Sequence, residues 1–331
     1  MRRPRSRLGR ALAVVGTCAG LLGGPGARIA RAQGGIATGG GLELVLPVGA
    51  RAVGLGQAVV ADQLGSESIW WNPAALARLH SRELALHHGQ TFALTQDAFS
   101  FVLPVAPVGV LAVSASLFNY GAQEQTDITG TLGTFTPRAN IYAASFAASA
   151  GSRVFLGLNY KVYQLGISCS GGCAGFASQN AATSALDFGA QVIARADSTL
   201  VIGAALRNVG PRLQVNDAPQ ADPLPTRLDI GVTYAPRIAS LGPDASLKFG
   251  AGVVNSIPST GAGLRVGTEL SWQQKIHVRA GYVHEGPGGS GPTIGVGAST
   301  GRLVLDIARL FSDNVANTST PPTYLSLRFV F

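Results

Sequence analysis

Residues 264–282 decide the fold most clearly, and they read LRVGTELSWQQKIHVRAGY. From Leu264 to Trp272 mostly apolar side chains alternate with polar ones or glycine, and the run from Lys275 to Tyr282 alternates in the same way. A period of two residues is typical of a β-strand with one apolar face. Because only Gln273 and Gln274 separate the runs, this stretch predicts an antiparallel hairpin of strands about ten residues long, enough for a tilted membrane strand.

Runs of this kind recur along the chain, and we count fourteen. The predicted strands cover 83–89, 97–104, 108–118, 139–149, 153–164, 184–195, 198–208, 226–235, 245–255, 263–272, 275–284, 291–299, 302–311 and 323–331. Their connections alternate in length. Short or medium links fall at 104–107, 151–152, 196–197, 236–244, 273–274 and 300–301, and longer ones at 119–138, 165–183, 209–225, 256–262, 285–290 and 312–322. Short turns at one end and long loops at the other are typical of outer-membrane barrels.

The predicted fold class is therefore all-β, a transmembrane antiparallel β-barrel of about 14 strands with an N-terminal plug segment. A soluble β-sandwich is the alternative, because alternation alone also fits a sheet with one dry face. The 44 glycines among 331 residues argue against a mainly helical chain.

The net charge of +8, from 25 Lys+Arg and 17 Asp+Glu, is concentrated at the start of the chain. Residues 1–32 contain seven arginines and no acidic residue, so removing these seven from the 25 leaves 18 basic against 17 acidic residues. The apolar run Ala11–Leu22 and the small residues Ala30 and Ala32 complete the pattern of a secretory signal peptide. We predict export to the cell outer membrane, and the nearly neutral remainder gives no basis for a nucleic-acid partner.

The last predicted strand carries apolar side chains on one face up to the final residue. These are Leu325, Leu327, Phe329 and Phe331. A terminal aromatic residue after alternating apolar residues resembles the signal that the barrel assembly machinery recognises. We therefore predict that machinery and outer-membrane lipids as partners.

The face opposite the apolar one points into the predicted barrel and carries charges of both signs. It holds Lys161, Asp187, Arg207, Arg227, Asp229, Arg265, Glu269, Lys275, His277, Arg279, Asp306 and Arg328. Groups of opposite sign can pair across the interior, which argues against a strongly ion-selective pore. We interpret this set as a structural ion-pair network around a plug, with a substrate pathway as the alternative.

Residues 33–82 precede the first strand, and a barrel of fourteen strands leaves space for them. Asn72 and Pro73 predict the start of a short helix, with Asn72 as cap and Pro73 in the first turn. The adjacent Trp70 and Trp71 suit either a plug packed in the barrel or an interfacial anchor, and we favour the plug. The predicted organisation is a signal peptide at 1–32, a plug segment at 33–82 and a barrel at 83–331.

The plug segment also carries a resemblance. Residues 49–56, GARAVGLG, and 69–77, IWWNPAALA, look like the N-terminal signature of the PorV/PorQ family, within the wider FadL-like group of fourteen-stranded outer-membrane barrels. Residues 157–161, 207–210 and 279–282 fit the same family. By this resemblance Asn72, Pro73 and Ala74 match the Asn-Pro-Ala motif of the FadL plug, so with Trp70 and Trp71 they form the predicted plug motif.

Two cysteines follow the signal peptide, Cys169 and Cys173, and they lie in a predicted external loop. We predict a disulfide in an oxidising compartment, because a metal site would need further ligands and no histidine is near in sequence. Catalytic motifs such as Gly-x-Ser-x-Gly, His-Glu-x-x-His and the P-loop are absent from the sequence. The strand pairs Gly250/Gly252 and Gly295/Gly297 are expected to ease barrel curvature. We predict no enzymatic activity, no cofactor and no metal.

We consider three hypotheses about function, of which the first two follow from the resemblance. The first is passive, FadL-like uptake of a small hydrophobic molecule or lipid through the plugged barrel. The second is a PorV-like anchoring or shuttle component that works with the proteins of a type IX secretion system. The third is a structural barrel without transport.

Overall fold

The computed structural model describes residues 40–91, 93–128, 130–173, 179–197, 199–216, 221–257, 262–285, 290–311 and 321–331. The predicted signal peptide and residues 33–39 of the predicted plug segment lie outside these ranges. The described chain is dominated by antiparallel strands. They are β1 (Glu83–Gln90), β2 (Thr95–Val105), β3 (Gly109–Asn119), β4 (Gln123–Asp127), β5 (Gly130–Ser149), β6 (Val154–Gly171), β7 (Gln179–Ile193), β8 (Leu200–Val209), β9 (Leu213–Gln214), β10 (Ala221–Asp222), β11 (Thr226–Tyr234), β12 (Ala245–Ile257), β13 (Ala262–Trp272), β14 (Ile276–His284), β15 (Ser290–Thr300), β16 (Leu303–Leu310) and β17 (Thr323–Val330).

Fourteen of these strands form a closed ring. Strands β1, β2, β3, β5, β6, β7, β8 and β11 to β17 pair with their neighbours in chain order, and β17 pairs back onto β1. The closing ladder runs antiparallel from Glu83 opposite Val330 to Gln90 opposite Thr323. The prediction of a 14-stranded antiparallel barrel is confirmed, and every predicted strand overlaps one strand of the ring.

The structure departs from the prediction at the end of the barrel that carries the long loops. Strands β5, β6 and β7 continue into the predicted loops 119–138 and 165–183, and β4 pairs with the extension of β5. Strands β9 and β10 form a small hairpin inside the predicted loop 209–225. In the extensions of β5 and β7 polar residues occupy both faces, so the period of two that marks a membrane strand is missing there, whereas the extension of β6 still alternates from Leu165 to Ser170.

The outer surface of the ring is apolar. Exposed leucine, isoleucine, valine and aromatic side chains point outward from every barrel strand, as Leu156, Leu158 and Tyr160 do on β6. Leu325, Leu327, Phe329 and Phe331 share this outward face, and the rings of the two phenylalanines stack with centroids 5.4 Å apart. A closed ring satisfies all strand hydrogen bonds internally, so this surface is suited to lipid.

Residues 40–82, which we call the plug, form short helices before the first strand. They comprise α1 (Ala50–Gly54), α2 (Ser68–Trp71) and 3-10 turns at Leu42–Val45, Gly65–Glu67 and Pro73–Arg78. A further 3-10 turn, Ala239–Leu241, lies between β11 and β12. None of the helices in the described ranges is long and apolar enough to cross a membrane.

The plug lies inside the ring, because it bonds to strands on opposite sides. The Ala50 amide donates to Ser326 Oγ of β17 at 2.8 Å, and the Gly56 amide donates to Thr293 Oγ1 of β15 at 3.0 Å. The Asn72 side chain donates to the Ala190 carbonyl of β7 at 3.2 Å. The lumen is therefore occupied by the chain's own N-terminal segment.

Candidate functional site

Asn72 organises the centre of the plug. Its Oδ1 accepts a hydrogen bond from the Ala74 amide at 3.1 Å, which caps the 3-10 turn that Pro73 begins. Its Nδ2 donates to the Val60 carbonyl at 2.6 Å and also to the wall. One side chain thus joins a helix start, a distant part of the plug and the barrel.

Both tryptophans of the predicted plug motif are buried inside the barrel and not at a membrane interface. The Trp71 Nε1 donates to the Val48 carbonyl at 2.9 Å. The guanidinium carbons of Arg207 and Arg265 lie 5.5 and 5.7 Å from the centroid of the Trp71 ring. Each contact has the geometry of a cation–π interaction, so two arginines of the wall hold the Trp71 ring.

Eight consecutive strands of the ring place a glycine directly against the plug, and we call this set the glycine girdle. It comprises Gly157, Gly189, Gly203, Gly231, Gly250, Gly267, Gly281 and Gly295. An ideal Cβ on Gly267 would lie 2.1 Å from the Leu55 carbonyl oxygen, and one on Gly281 would lie 2.3 Å from the Gly56 amide nitrogen. The plug main chain therefore occupies the space that a side chain at Gly267 or Gly281 would need.

The girdle changes the interpretation of two strand glycines. Gly250 and Gly295 were expected to ease curvature, but a Cβ at Gly250 would lie 2.4 Å from the Ala58 carbonyl oxygen and one at Gly295 would lie 3.0 Å from the Gly54 Cα. They admit the plug backbone. The signal for this in the sequence is one glycine near the middle of each of eight strands, which the strand-by-strand prediction did not connect with the plug.

A first ion-pair network ties α1 to strands β12–β16. The Arg51 guanidinium of the plug lies 3.3 Å from the Glu269 carboxylate, and Lys248 Nζ lies 2.8 Å from the same group. Arg279 bridges Glu269 at 2.5 Å and Asp306 at 2.6 Å. These side chains are at least four-fifths buried, so each charge depends on its partners.

Asp62 and Glu67 add two plug carboxyl groups that the sequence prediction missed. Asp62 Oδ2 lies 2.7 Å from Lys248 Nζ. Glu67 accepts a hydrogen bond from the Ala52 amide at 3.2 Å. Burial, followed by the nearby Asp306 carboxylate, raises the pKa of Glu67 to about 7.

A second network lies across strands β6 to β13. Lys161 Nζ is 2.7 Å from Asp187 and also donates to Asn208 Oδ1 at 2.7 Å. Arg207 donates to Asp229 through two nitrogens, at 3.0 and 2.8 Å, and to the Trp70 carbonyl at 2.7 Å. Asp229 is therefore shared between the wall and, through Arg207, the plug.

Arg265 and Arg227 extend this second network toward the loop end of the barrel. Arg265 pairs with Asp229 at 3.2 Å and also with Glu285, while Arg227 lies 3.3 Å from Glu285. Lys248 and Glu285 were not among the predicted lumen residues. Lys248 shares the inward face of β12 with two glycines, which leaves no obvious polar pattern in the sequence.

The remaining predicted lumen residues are placed as follows. Arg328 donates to the Leu64 carbonyl at 2.8 Å and lies 3.8 Å from Glu83. His277 is half-buried, with Nδ1 2.8 Å from Ser271 Oγ. The prediction for Lys275 is wrong: it lies exposed in the turn between β13 and β14, because the strand begins one residue later at Ile276.

The inward faces of β2, β3 and residues 139–147 of β5 are different, because they carry no ionisable side chain; we call them the neutral sector. They present Gln96, Ala98, Ser100, Val102, Val110, Ala112, Ser114, Ser116, Phe118, Ala139, Ile141, Ala143, Ser145 and Ala147. Val102, Val110 and Ala147 belong to one apolar cluster with plug residues including Trp70. The sector therefore forms an uncharged wall along the height of the barrel.

The space between the plug and this wall is small. A cavity of about 10 Å³ is lined by Trp70, Trp71, Ser116 and Phe118 among others, and the ionisable Glu43, Lys161 and Arg207 also line it. That volume holds about one water molecule. On the outer side of β1–β3, a groove of about 460 Å³ is lined mainly by apolar side chains including Leu86, Phe99 and Leu117. Within the described residues, the plug thus closes the lumen beside the neutral sector.

Cys169 and Cys173 are bonded in the structure, with Cα atoms 6.3 Å apart. Cys169 belongs to the extended β6, opposite Phe135 of β5, and not to a loop as predicted. The disulfide lies far along the extension from the plug. Among the described residues, no group of three or more His, Cys, Asp or Glu side chains is placed to hold a metal ion.

A closed ring with an apolar outer surface and a lumen filled by its own N-terminal segment defines the class: a plugged transmembrane β-barrel.

Comparison with known proteins supports this class at the level of the fold. The toluene transporter TbuX of Ralstonia pickettii superposes with a TM-score of 0.52 at 13% identity, over 86% of this chain and 98% of that one. The monoaromatic hydrocarbon channel CymD gives 0.57 at 12% identity, over 86% and 97%. The toluene transporter TodX of P. putida gives 0.55 at 12% identity, over 86% and 98%. No protein-family model matches the sequence, and no curated protein matches it.

Proposed function

We propose that this protein is a non-enzymatic outer-membrane channel that admits small hydrophobic molecules passively past a movable plug. The neutral sector is the observation that carries the proposal. Three adjacent strands offer an uncharged inner wall, whereas the charges of the lumen bind the other side of the plug. A hydrophobic solute that passes along this wall removes no water from charged side chains, because the wall carries none.

The plug must move for passage, because the cavity beside it holds only about one water. The contacts between the plug and the barrel wall fall into two groups. Toward the charged strands the plug is held by ion pairs such as Arg51–Glu269 and by the glycine girdle. Toward the neutral sector it makes apolar contacts through residues such as Ile69 and Trp70, which can separate without leaving a charge unpaired.

The superposed structures are those of two toluene transporters and a monoaromatic hydrocarbon channel, which supports the proposal. Outer-membrane location is part of the proposal, and the apolar outer surface and the predicted signal peptide at 1–32 support it. The PorV-like role in secretion stays as the alternative hypothesis from the sequence.

A charge placed in the neutral sector tests the pathway. We expect Ala112→Asp to lower uptake of p-xylene by at least about tenfold relative to Ala112→Asn, because the two side chains match in size and only the carboxylate carries a charge that burial penalises. Uptake is measured in cells that express each variant at equal surface level, with heat-modifiable gel mobility as the check that the barrel has folded.

Three results would contradict the proposal or a part of it. Equal p-xylene uptake by expressing cells and cells with an empty vector would contradict the channel proposal. Equal uptake by the two Ala112 variants would contradict the assigned path. If deletion of the gene leaves uptake unchanged but removes proteins from the cell surface, the secretion role replaces this proposal.

A further inference from the structure

Six buried polar atoms, one on Trp70 of the plug and five on the inward faces of β1, β2 and β3, have no hydrogen-bond partner among the described residues. They are Trp70 Nε1, His87 Nε2, Gln96 Nε2, Ser100 Oγ, Ser114 Oγ and Ser116 Oγ. All six residues are more than nine-tenths buried. Buried polar groups are normally paired, so a cluster of unpaired ones in one place marks a site for something else.

The strand register makes this cluster one continuous patch. Ser100 of β2 lies directly opposite Ser114 of β3. Ala98 lies between His87 of β1 and Ser116 of β3 in the same way. The Trp70 ring meets the His87 ring edge to face, with centroids 5.3 Å apart, and lines the small cavity together with Ser116. The patch therefore belongs to the neutral sector and its β1 edge, under the plug.

The chemistry of the patch is that of neutral hydrogen-bond donors and hydroxyl groups. Ser326 Oγ accepts from the Ala50 amide and hydrogen-bonds with His87 Nδ1 at 2.8 Å, so Nε2 is the imidazole nitrogen left for a ligand, as donor or acceptor according to the tautomer. The indole and the glutamine amide nitrogen are donors, and the three serines can donate or accept. An oxygen atom on a ligand suits this set, and no side chain in the patch could balance an anion.

We infer that the patch recognises uncharged, oxygen-bearing hydrocarbons such as phenols and alcohols, in preference to hydrocarbons without a polar group. This inference rests on the proposed function, since the ligand reaches the patch only when Trp70 moves with the plug. A wholly apolar ligand leaves the six atoms unpaired, whereas a hydroxyl group pairs with two or three of them. Sites built to bond a hydroxyl discriminate strongly against analogues without one.

The test compares p-cresol with p-xylene, which have nearly the same shape and differ in a hydroxyl against a methyl group. In the triple variant Ser100→Ala, Ser114→Ala, Ser116→Ala we expect p-cresol uptake to fall about tenfold and p-xylene uptake to stay equal or rise. The control is Ser145→Ala. Ser145 faces the same sector, but its hydroxyl already donates to Asn159 Oδ1 at 2.9 Å, so the ratio of the two uptakes should match that of the wild type.

The outcomes separate this inference from the proposed function. If the wild type takes up both compounds and the triple variant keeps the wild-type ratio of p-cresol to p-xylene, the ligand inference is overturned and the channel stands. If the wild type takes up neither compound faster than cells with an empty vector, the proposed function itself fails. Heat-modifiable mobility of the triple variant shows whether it has folded, and the single variant Ser116→Ala gives the same comparison with less perturbation.

Discussion

In Gly267→Leu we expect the barrel to form while the plug fails to dock. Even the Cβ of the new side chain would lie 2.1 Å from the Leu55 carbonyl oxygen, and a backbone atom cannot rotate away as a side chain can. Overpacking a tight contact costs about 1–3 kcal/mol and sometimes more. Because Gly281 and Gly250 confine the same stretch of plug, we expect the upper end of that range.

Trypsin provides the measurement for this variant. Arg51 is buried in the docked plug, so cleavage after Arg51 reports a plug that has left the lumen. We expect rapid cleavage in Gly267→Leu and resistance in the wild type. The matched control is Gly166→Leu in the extension of β6, where the one atom within 4 Å of an added Cβ is Asn180 Oδ1 at 3.6 Å. Equal cleavage of Gly267→Leu and Gly166→Leu would show that the girdle does not hold the plug.

In Arg279→Leu we expect a loss of about 3–5 kcal/mol of unfolding free energy, which is typical when one member of a buried ion pair is removed. Arg279 is 3% exposed and bridges Glu269 and Asp306. Glu269 keeps Arg51 and Lys248, but Asp306 is left as a buried carboxylate without its arginine. The denaturant midpoint in detergent, followed by the heat-modifiable band, measures the change.

Two further variants isolate the cause of that loss. Arg309→Leu removes an exposed arginine of β16 and should change the midpoint little. The double variant Arg279→Leu, Asp306→Leu removes both charges, so it should recover part of the stability. If the double variant is less stable than Arg279→Leu alone, packing around the guanidinium matters more than the unpaired charge.

The barrel could be predicted from the sequence because its signal is local. In β13 and β14, residues two positions apart lie on the same face of the strand. One face meets lipid and the other meets the lumen, so apolar and polar residues alternate along the sequence. The extension of β6 to Gly171 was missed although its residues still alternate from Leu165 to Ser170, because clusters of glycine and serine also indicate a loop. In the extension of β5, Thr131 and Thr134 lie on opposite faces, so no period of two marks that strand and its pairing with β6 decides it.

The site was less predictable, because it depends on contacts between distant parts of the chain. The lumen-facing charges followed from the register, but their segregation from the neutral sector appears only when the strands are placed around the ring. Gly267 and Gly281 show the same limit. In the sequence, a glycine at each of these positions indicates only a locally weak strand. The path of the plug shows that both glycines make room for its backbone.

Plug movement is the central claim, and a reversible cross-link tests it most directly. Leu76 of the plug and Ala147 of the neutral sector belong to one apolar cluster, so Leu76→Cys with Ala147→Cys, bridged by a short bis-methanethiosulfonate reagent that dithiothreitol cleaves, ties together the two surfaces that must separate. The background carries Cys18→Ser, Cys169→Ser and Cys173→Ser to remove the native thiols. Ala147→Cys alone in that background, treated with the same reagent, is the control.

With the cross-link complete by mass spectrometry, we expect p-xylene uptake to fall to the level of cells with an empty vector. Reduction with dithiothreitol should restore it, while the control stays constant under both conditions. Equal uptake by the cross-linked and reduced forms would contradict a channel that opens by moving its plug.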